Sequence, residues 1–143
     1  MSKDIRKKKR KNNNFSTLSE VQTLSYPVFC FKHLTTNKTY NFDYFKNPKD
    51  INEAKSIILD KLIETQSKTW LQLHQLDKRA GIETLSYGDI RVSANDYEIL
   101  KDQNVYVFRL NSQKWRIIGI KSEINKDVLH IIGFDFNYSA YNH

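Results

Sequence analysis

Two arginines, two tyrosines and a histidine lie within the last 35 residues, and together these side-chain types can cut RNA without a metal. Arg109 and Arg116 sit inside otherwise apolar stretches, VYVFRL and KWRIIGI. Tyr138, Tyr141 and His143 follow shortly after Asp135 in DFNYSAYNH. Cleavage by the RNA's own 2′-hydroxyl needs one group to accept that proton, one to protonate the leaving 5′-oxygen and one to hold the phosphate charge. An imidazole titrates near neutrality and can move protons. A guanidinium stabilises the charge that develops on phosphorus-bound oxygens. A tyrosine can donate a proton or carry a stacked base. Arg109, Arg116, Tyr141 and His143 are therefore the candidate catalytic residues, and Tyr138 a candidate RNA contact. The plainer reading is also open: the tyrosines cap the edge of a core, His143 frays at a terminus, and an arginine pairs with a carboxylate such as Asp135. An arginine within an apolar strand must reach water, pair, or bind an anion, because burying it unpaired is costly.

Other side chains point away from chemistry. His33 and His74 have no partner at ligand spacing, His130 reads as a satisfied sheet histidine, and Cys30, between Phe29 and Phe31, reads as core. One cysteine and four histidines make a cysteine-rich zinc module implausible and leave no intramolecular disulfide. With four glycines there is no GxGxxG or Walker pattern. Neither a metal nor a cofactor is expected.

Charge is unevenly spread. Residues 1–11 hold seven Lys or Arg and one Asp, whereas residues 12–143 hold 16 bases and 15 acids. A near-neutral body thus carries a cationic arm, in which Lys7, Lys8, Lys9, Arg10 and Lys11 are candidate nucleic-acid contacts. Such an arm attracts phosphate through counterion release and speeds encounter; it can equally serve as a solubilising terminus.

The elements that must position these groups read as α+β. The 143 residues fit one domain, with a disordered arm over 1–18 and a folded body over 19–143. Aromatic residues make up 13% of the chain, which argues for a core. No apolar run reaches the roughly 18 residues of a membrane span, and the basic start lacks the apolar segment of a secretory signal, so a cytoplasmic protein with no membrane partner is expected. Val28–Phe31 and residues 39–42 predict an N-terminal hairpin. Asn47-Pro48 opens a helix over 49–65, with Ile51, Ala54, Ile58 and Leu62 on one stripe. A second short helix, capped by Ser67 and closed by Ala80-Gly81, carries Trp70 and Leu73 against the first. Asp89–Val92 suggests a short strand. Val105–Leu110, Trp115–Lys121 and Val128–Phe136 predict an antiparallel meander with tight turns. The expected architecture is an antiparallel β-sheet with two helices packed on one face. Strict alternation puts Arg116 with Ile118 and Ile120, Arg109 with Val105 and Val107, Asp135 with Leu129 and Ile131, and His130 with Val128, Ile132 and Phe134.

A helix pair, a meander and a basic-aromatic tail resemble the RelE/ParE superfamily of small bacterial toxins. QKWRIIGI at 113–120 is similar to that family's aromatic–Arg–aliphatic strand, and VLHIIGFDFNYSAY at 128–141 to its last strand and following Tyr. The resemblance implies a toxin-type, metal-independent endoribonuclease acting on RNA, including ribosome-bound mRNA, and held by an antitoxin partner. It places Arg116 at the phosphate-binding Arg and Tyr141 at the Tyr that contacts the substrate nucleotide. Asp135 departs from the pattern, standing where the nucleases carry Arg or His, so His143 or Arg109 would have to compensate. The alternatives are a non-enzymatic nucleic-acid-binding module of a phage or mobile element, which the charge outside the fold favours, and a protein-interaction module using exposed aromatics.

Overall fold

The computed structural model describes residues 25–77, 81–110 and 114–142. The basic arm with Lys7, Lys8, Lys9, Arg10 and Lys11, the turn at 111–113 and His143 lie outside the described residues.

Asn47 caps the long helix α1 (Pro48–Gln66), its side chain accepting from the Asp50 N–H, and Pro48 occupies the first turn, where a missing N–H costs nothing. Ala54, Ile58 and Leu62 are buried on one stripe, as the spacing predicts. The short helix α2 (Trp70–Gln75) starts two residues later than the Ser67 cap implies, with Thr69 as its cap. Thr69 and Gln72 form a reciprocal capping box there, which satisfies two otherwise unpaired N–H groups. It stops at Gln75, before Ala80-Gly81.

Five strands form one sheet: β1 (Val28–Cys30), β2 (Ile82–Ser86), β3 (Asn104–Arg109), β4 (Arg116–Lys121) and β5 (Val128–Asp135), in the spatial order β1-β5-β4-β3-β2. The β3-β4-β5 meander is as expected, and the fold is α+β with a mostly antiparallel sheet. Two expectations are corrected. The N-terminal hairpin does not form: β1 pairs in parallel with β5, and residues 38–44 make two 3-10 turns capped by Asn37 and Asn41. Those asparagines satisfy turn N–H groups locally and so compete with strand pairing. Asp89–Val92 is not a strand; the strand lies at β2, and Tyr87–Asp89 is a 3-10 turn.

Each sheet face has its own apolar layer. Phe108, Ile117, Leu129 and Phe134 meet the helices through Ile58, Leu62, Trp70 and Leu73. On the opposite face Val105, Val107, Ile118 and Ile132 are covered by Tyr40, Val92, Ala140 and Tyr141, which belong to loops and the C-terminal segment. Both helices therefore pack on one face, as predicted.

A bulge in β5 overturns the strict alternation. Ile118 pairs with Gly133 but Gly119 pairs with Ile131, so Ile132 is the extra residue. Beyond it the side-chain parity reverses. Phe134 joins Leu129 and Ile131 on the helix face, and Asp135 crosses to the face of Arg116, its register partner.

Gly133 sits where the covering layer comes closest. A Cβ there would lie 2.5 Å from Val92 Cγ1 and 3.2 Å from the Tyr40 carbonyl oxygen. Gly133→Ala is expected to destabilise the fold by about 1–3 kcal/mol in urea unfolding, because the buried Val92 has no room to retreat; an unchanged midpoint would show that the covering loop is loose.

Candidate nucleic-acid interface

The end of the sheet where β4 begins and β3 and β5 finish gathers the polar side chains. Arg116 pairs in register with Arg109 on one side and with Asp135 on the other. Like charges opposite each other in a sheet repel, so this arrangement needs anionic or dipolar relief.

Asp135 does not supply that relief by an ion pair. It is fully buried, and both of its oxygens are taken by the backbone that follows. Oδ1 accepts from the N–H groups of Asn137 (3.3 Å) and Ser139 (3.0 Å), and Oδ2 from that of Ala140 (2.9 Å). The carboxylate thereby curls the tail back over the sheet and places Tyr141 above Arg116. The carboxylate that does pair with Arg109 is Glu83 of β2, at 3.9 Å, not Asp135.

Arg116 and Tyr141 meet. Arg116 Nε donates to the Tyr141 hydroxyl at 3.3 Å, and that hydroxyl donates to Glu83 Oε1 at 3.2 Å. Arg116 Nη1 also donates to the Trp115 carbonyl at 3.1 Å. Yet Arg116 is only 4% exposed and Tyr141 only 5%. Burial pushes the Tyr141 phenol pKa up, the Arg116 hydrogen bond pulls it back, and the Glu83 charge raises it again; the net shift is upward. At neutral pH Tyr141 is thus a protonated donor and not a base. It also borders a hollow of about 480 Å³ shared with Leu85, Arg91 and Asn142. Arg91 braces this rim, donating through Nη1 to the Ser139 carbonyl and through Nη2 to Asn142 Oδ1.

The accessible part of the cluster is different. The Arg109 side chain is 26% exposed and that of Glu83 18%. The Arg109 Nε is buried with no hydrogen-bond partner among the described residues, a donor that the fold leaves unmet. Tyr138 is 38% exposed and has a left-handed backbone, φ 61°. A bulky residue held there costs on the order of 1–3 kcal/mol and persists only when its surroundings impose it. Its ring lies 5.1 Å from the Arg116 guanidinium carbon and 5.3 Å from Lys114 Nζ. These contacts fix the ring electrostatically.

Of the sequence candidates, the fold brings Arg109, Arg116, Tyr138 and Tyr141 to one end of one face. Glu83, Lys114 and Arg91 were missed. Ile82-Glu83-Thr84-Leu85 carries a strand's alternation, which was the available signal for Glu83. The pairing of β2 with β3, which brings Glu83 to Arg109, has no local signature. Among the remaining histidines, His33 is buried with Nδ1 bonded to the Asn95 carbonyl at 2.9 Å. His130 is not the satisfied sheet histidine expected, since its Nδ1 is buried with no hydrogen-bond partner among the described residues. Cys30 is half-buried instead of core.

No family model, no curated protein and no solved structure matches the chain. Among the described residues no group of three or more His, Cys, Asp or Glu could hold a metal, and no helix is long and apolar enough to cross a membrane.

Two measurements test this network. Asp135→Asn keeps the shape but replaces one acceptor by an amide NH2, a donor facing the Ala140 N–H donor. It is expected to cost about 1–3 kcal/mol in urea unfolding; a neutral result would detach the tail from the carboxylate. In alkaline titration followed by tyrosinate absorbance, one phenol is expected to ionise above the ordinary 10.0 and to vanish in Tyr141→Phe. Because the folded pKa is the higher one, stability from Tyr141 is intact below the unfolded value and is lost as pH rises through the folded value. A Tyr141→Phe curve identical in its last phase to the parent's would contradict the assignment.

Proposed function

We propose that this chain binds single-stranded RNA at the β3-β4-β5 end of the sheet. The observation that carries the reading is Tyr138, an exposed ring on a left-handed backbone and flanked by two cations. An unpaired base can stack on such a ring, and aromatic stacking contributes about 1–3 kcal/mol per base. Lys114 stands beside it for one flanking phosphate, and Arg109, the register partner of Arg116, for the next. With Asp135 committed to the backbone, Glu83 pairs with Arg109 and reaches Arg116 through the Tyr141 hydroxyl, so among the described residues Arg109, Arg116 and Lys114 outweigh the acid. The N-terminal arm would add a sequence-independent, salt-sensitive contribution. Arg116 and Tyr141, being buried, position the ring and the guanidinium next to them and do not themselves touch the strand.

Glu83 favours a second reading, in which the bound RNA is cut without a metal. Its carboxylate is the base that the sequence reading assigned to histidine, and it lies between the Arg109 guanidinium and the Tyr141 phenol. In this scheme Glu83 takes the 2′-hydroxyl proton, the 2′-oxygen attacks phosphorus while Arg109 holds the developing charge, the P–O5′ bond breaks, and the 5′-oxygen takes a proton from water, leaving a 2′,3′-cyclic phosphate on the other fragment. This is the toxin-type endoribonuclease chemistry that the family resemblance implies, and an antitoxin would then cover the same cationic end.

Fluorescence anisotropy with a labelled single-stranded RNA separates the readings when paired with a digestion in EDTA. Tyr138→Ala is expected to weaken binding about tenfold, and Arg109→Gln to reduce both affinity and its salt dependence. Binding equal to the parent in both variants would overturn the RNA reading. If the parent also cuts RNA in EDTA, Glu83→Gln should slow cleavage by about a hundredfold or more at unchanged affinity. RNA left intact would retire the cleavage scheme and leave the binding function standing.

A further inference from the structure

A second cationic pocket lies on the opposite face of the sheet, at the other end of β4. Lys121 closes that strand on the helix side, where Gly119, one pair earlier, presents no side chain. The lysine folds over two rings, with Nζ 4.1 Å from the centre of Trp70 and 5.1 Å from that of Tyr106. Beside it is a hollow of about 300 Å³ lined by Gln103, Asn104, Tyr106, Lys121 and Lys126. The ion pairs among the described residues are Lys61–Glu64 and Arg109–Glu83, so neither lysine of this pocket is in one. Asp127 is the nearby acid that favours the Lys121 ammonium, while burial and the charge of Lys126 act against it. His74, packed against Trp70 and Tyr106, is itself held toward its neutral form by burial and by Lys121.

The geometry points to a binding site for a phosphate monoester. Lys121 and Lys126 line one small cavity with, among the described residues, only Asp127 as a nearby counter-charge, and a phosphate dianion complements the positive charge that remains. The side-chain amides of Gln103 and Asn104 offer N–H donors for its remaining oxygens. The volume admits the phosphate together with the group that carries it. The Trp70 and Tyr106 rings hold the Lys121 ammonium at the edge of the pocket by cation–π attraction, so little of its freedom remains to be lost on binding. This inference does not rest on the RNA reading, since none of these residues belongs to the Tyr138 cluster. The same phosphate chemistry could reach the pocket on a small molecule or as the 5′-end of an RNA strand.

Trp70 makes the site readable. In the full chain carrying Trp115→Phe it is the only indole left of two, and an ammonium over its face quenches its emission. Titration with inorganic phosphate, with adenosine monophosphate and with uridine is expected to give a saturable emission change for the first two and none for uridine. Lys121→Gln should weaken the response about tenfold or more, as expected for loss of a charge-assisted bond. Lys126→Gln, at an exposed position that cannot disturb the fold, should weaken it severalfold. A 5′-phosphorylated RNA binding more tightly than its 5′-hydroxyl twin would assign the source as RNA; equal binding of the two would assign it as a small molecule. No saturable change with phosphate or the monophosphate up to about 10 mM, where even a millimolar site would fill, overturns the proposal. So does an unaltered response in Lys126→Gln and Lys121→Gln.

Discussion

The three hydrogen bonds that Asp135 accepts from its own chain hold the rest of the site in place. A fully buried carboxylate is tolerable only when its lone pairs are met, and here the backbone of 137–140 meets them. Within that loop one residue takes the left-handed conformation, and it is Tyr138. The same turn sends Ala140 and Tyr141 into the apolar layer over Val105, Val107 and Ile118. One acidic side chain thus exposes one tyrosine and buries another. The β5 bulge is the precondition, because without the extra Ile132 the carboxylate would point at the helices.

The sheet divides its labour between faces. Toward the helices it is packed with aromatic and aliphatic side chains and ends in the Lys121 pocket. Toward the loops it has a thinner apolar layer that ends in charge. Placing Arg116 next to Arg109 there would be costly in an apolar interior. The cost is offset by the Tyr141 hydroxyl, the Trp115 carbonyl and Glu83, and by the Tyr138 ring in front. A cluster that holds more positive than negative charge at a half-open end of a sheet suits an anion, and under the proposed function the Tyr138 ring beside it adds a surface for a flat base.

Much of this was legible in the sequence, for reasons that differ by element. The long helix announced itself through Asn47-Pro48 and a stripe of period 3.6, both local signals. The meander was marked by three apolar runs separated by polar turns. The helix face followed from both. The N-terminal hairpin does not form because 39–42, which reads as a returning strand, is broken at Asn41: the Asn37 and Asn41 side chains each close a 3-10 turn. The meeting of Arg116 with Tyr141 agreed with the sequence reading in position but not in accessibility, since alternation tells which face a residue takes and not how deeply it is covered. Glu83 was out of reach because its importance comes from β2 pairing with β3. The parity switch at Ile132 was invisible as well: a bulge is one extra residue in a run that remains apolar throughout.

The central claim is that unpaired RNA lies across Tyr138 and the guanidinium and ammonium groups next to it. Photo-crosslinking the full chain to a 4-thiouridine RNA, with the adduct mapped by mass spectrometry, tests this most directly. The account predicts adducts on Tyr138 and its immediate neighbours in the 114–116 and 137–142 segments. Adducts confined to the basic arm or to the outer surfaces of the two helices would contradict it.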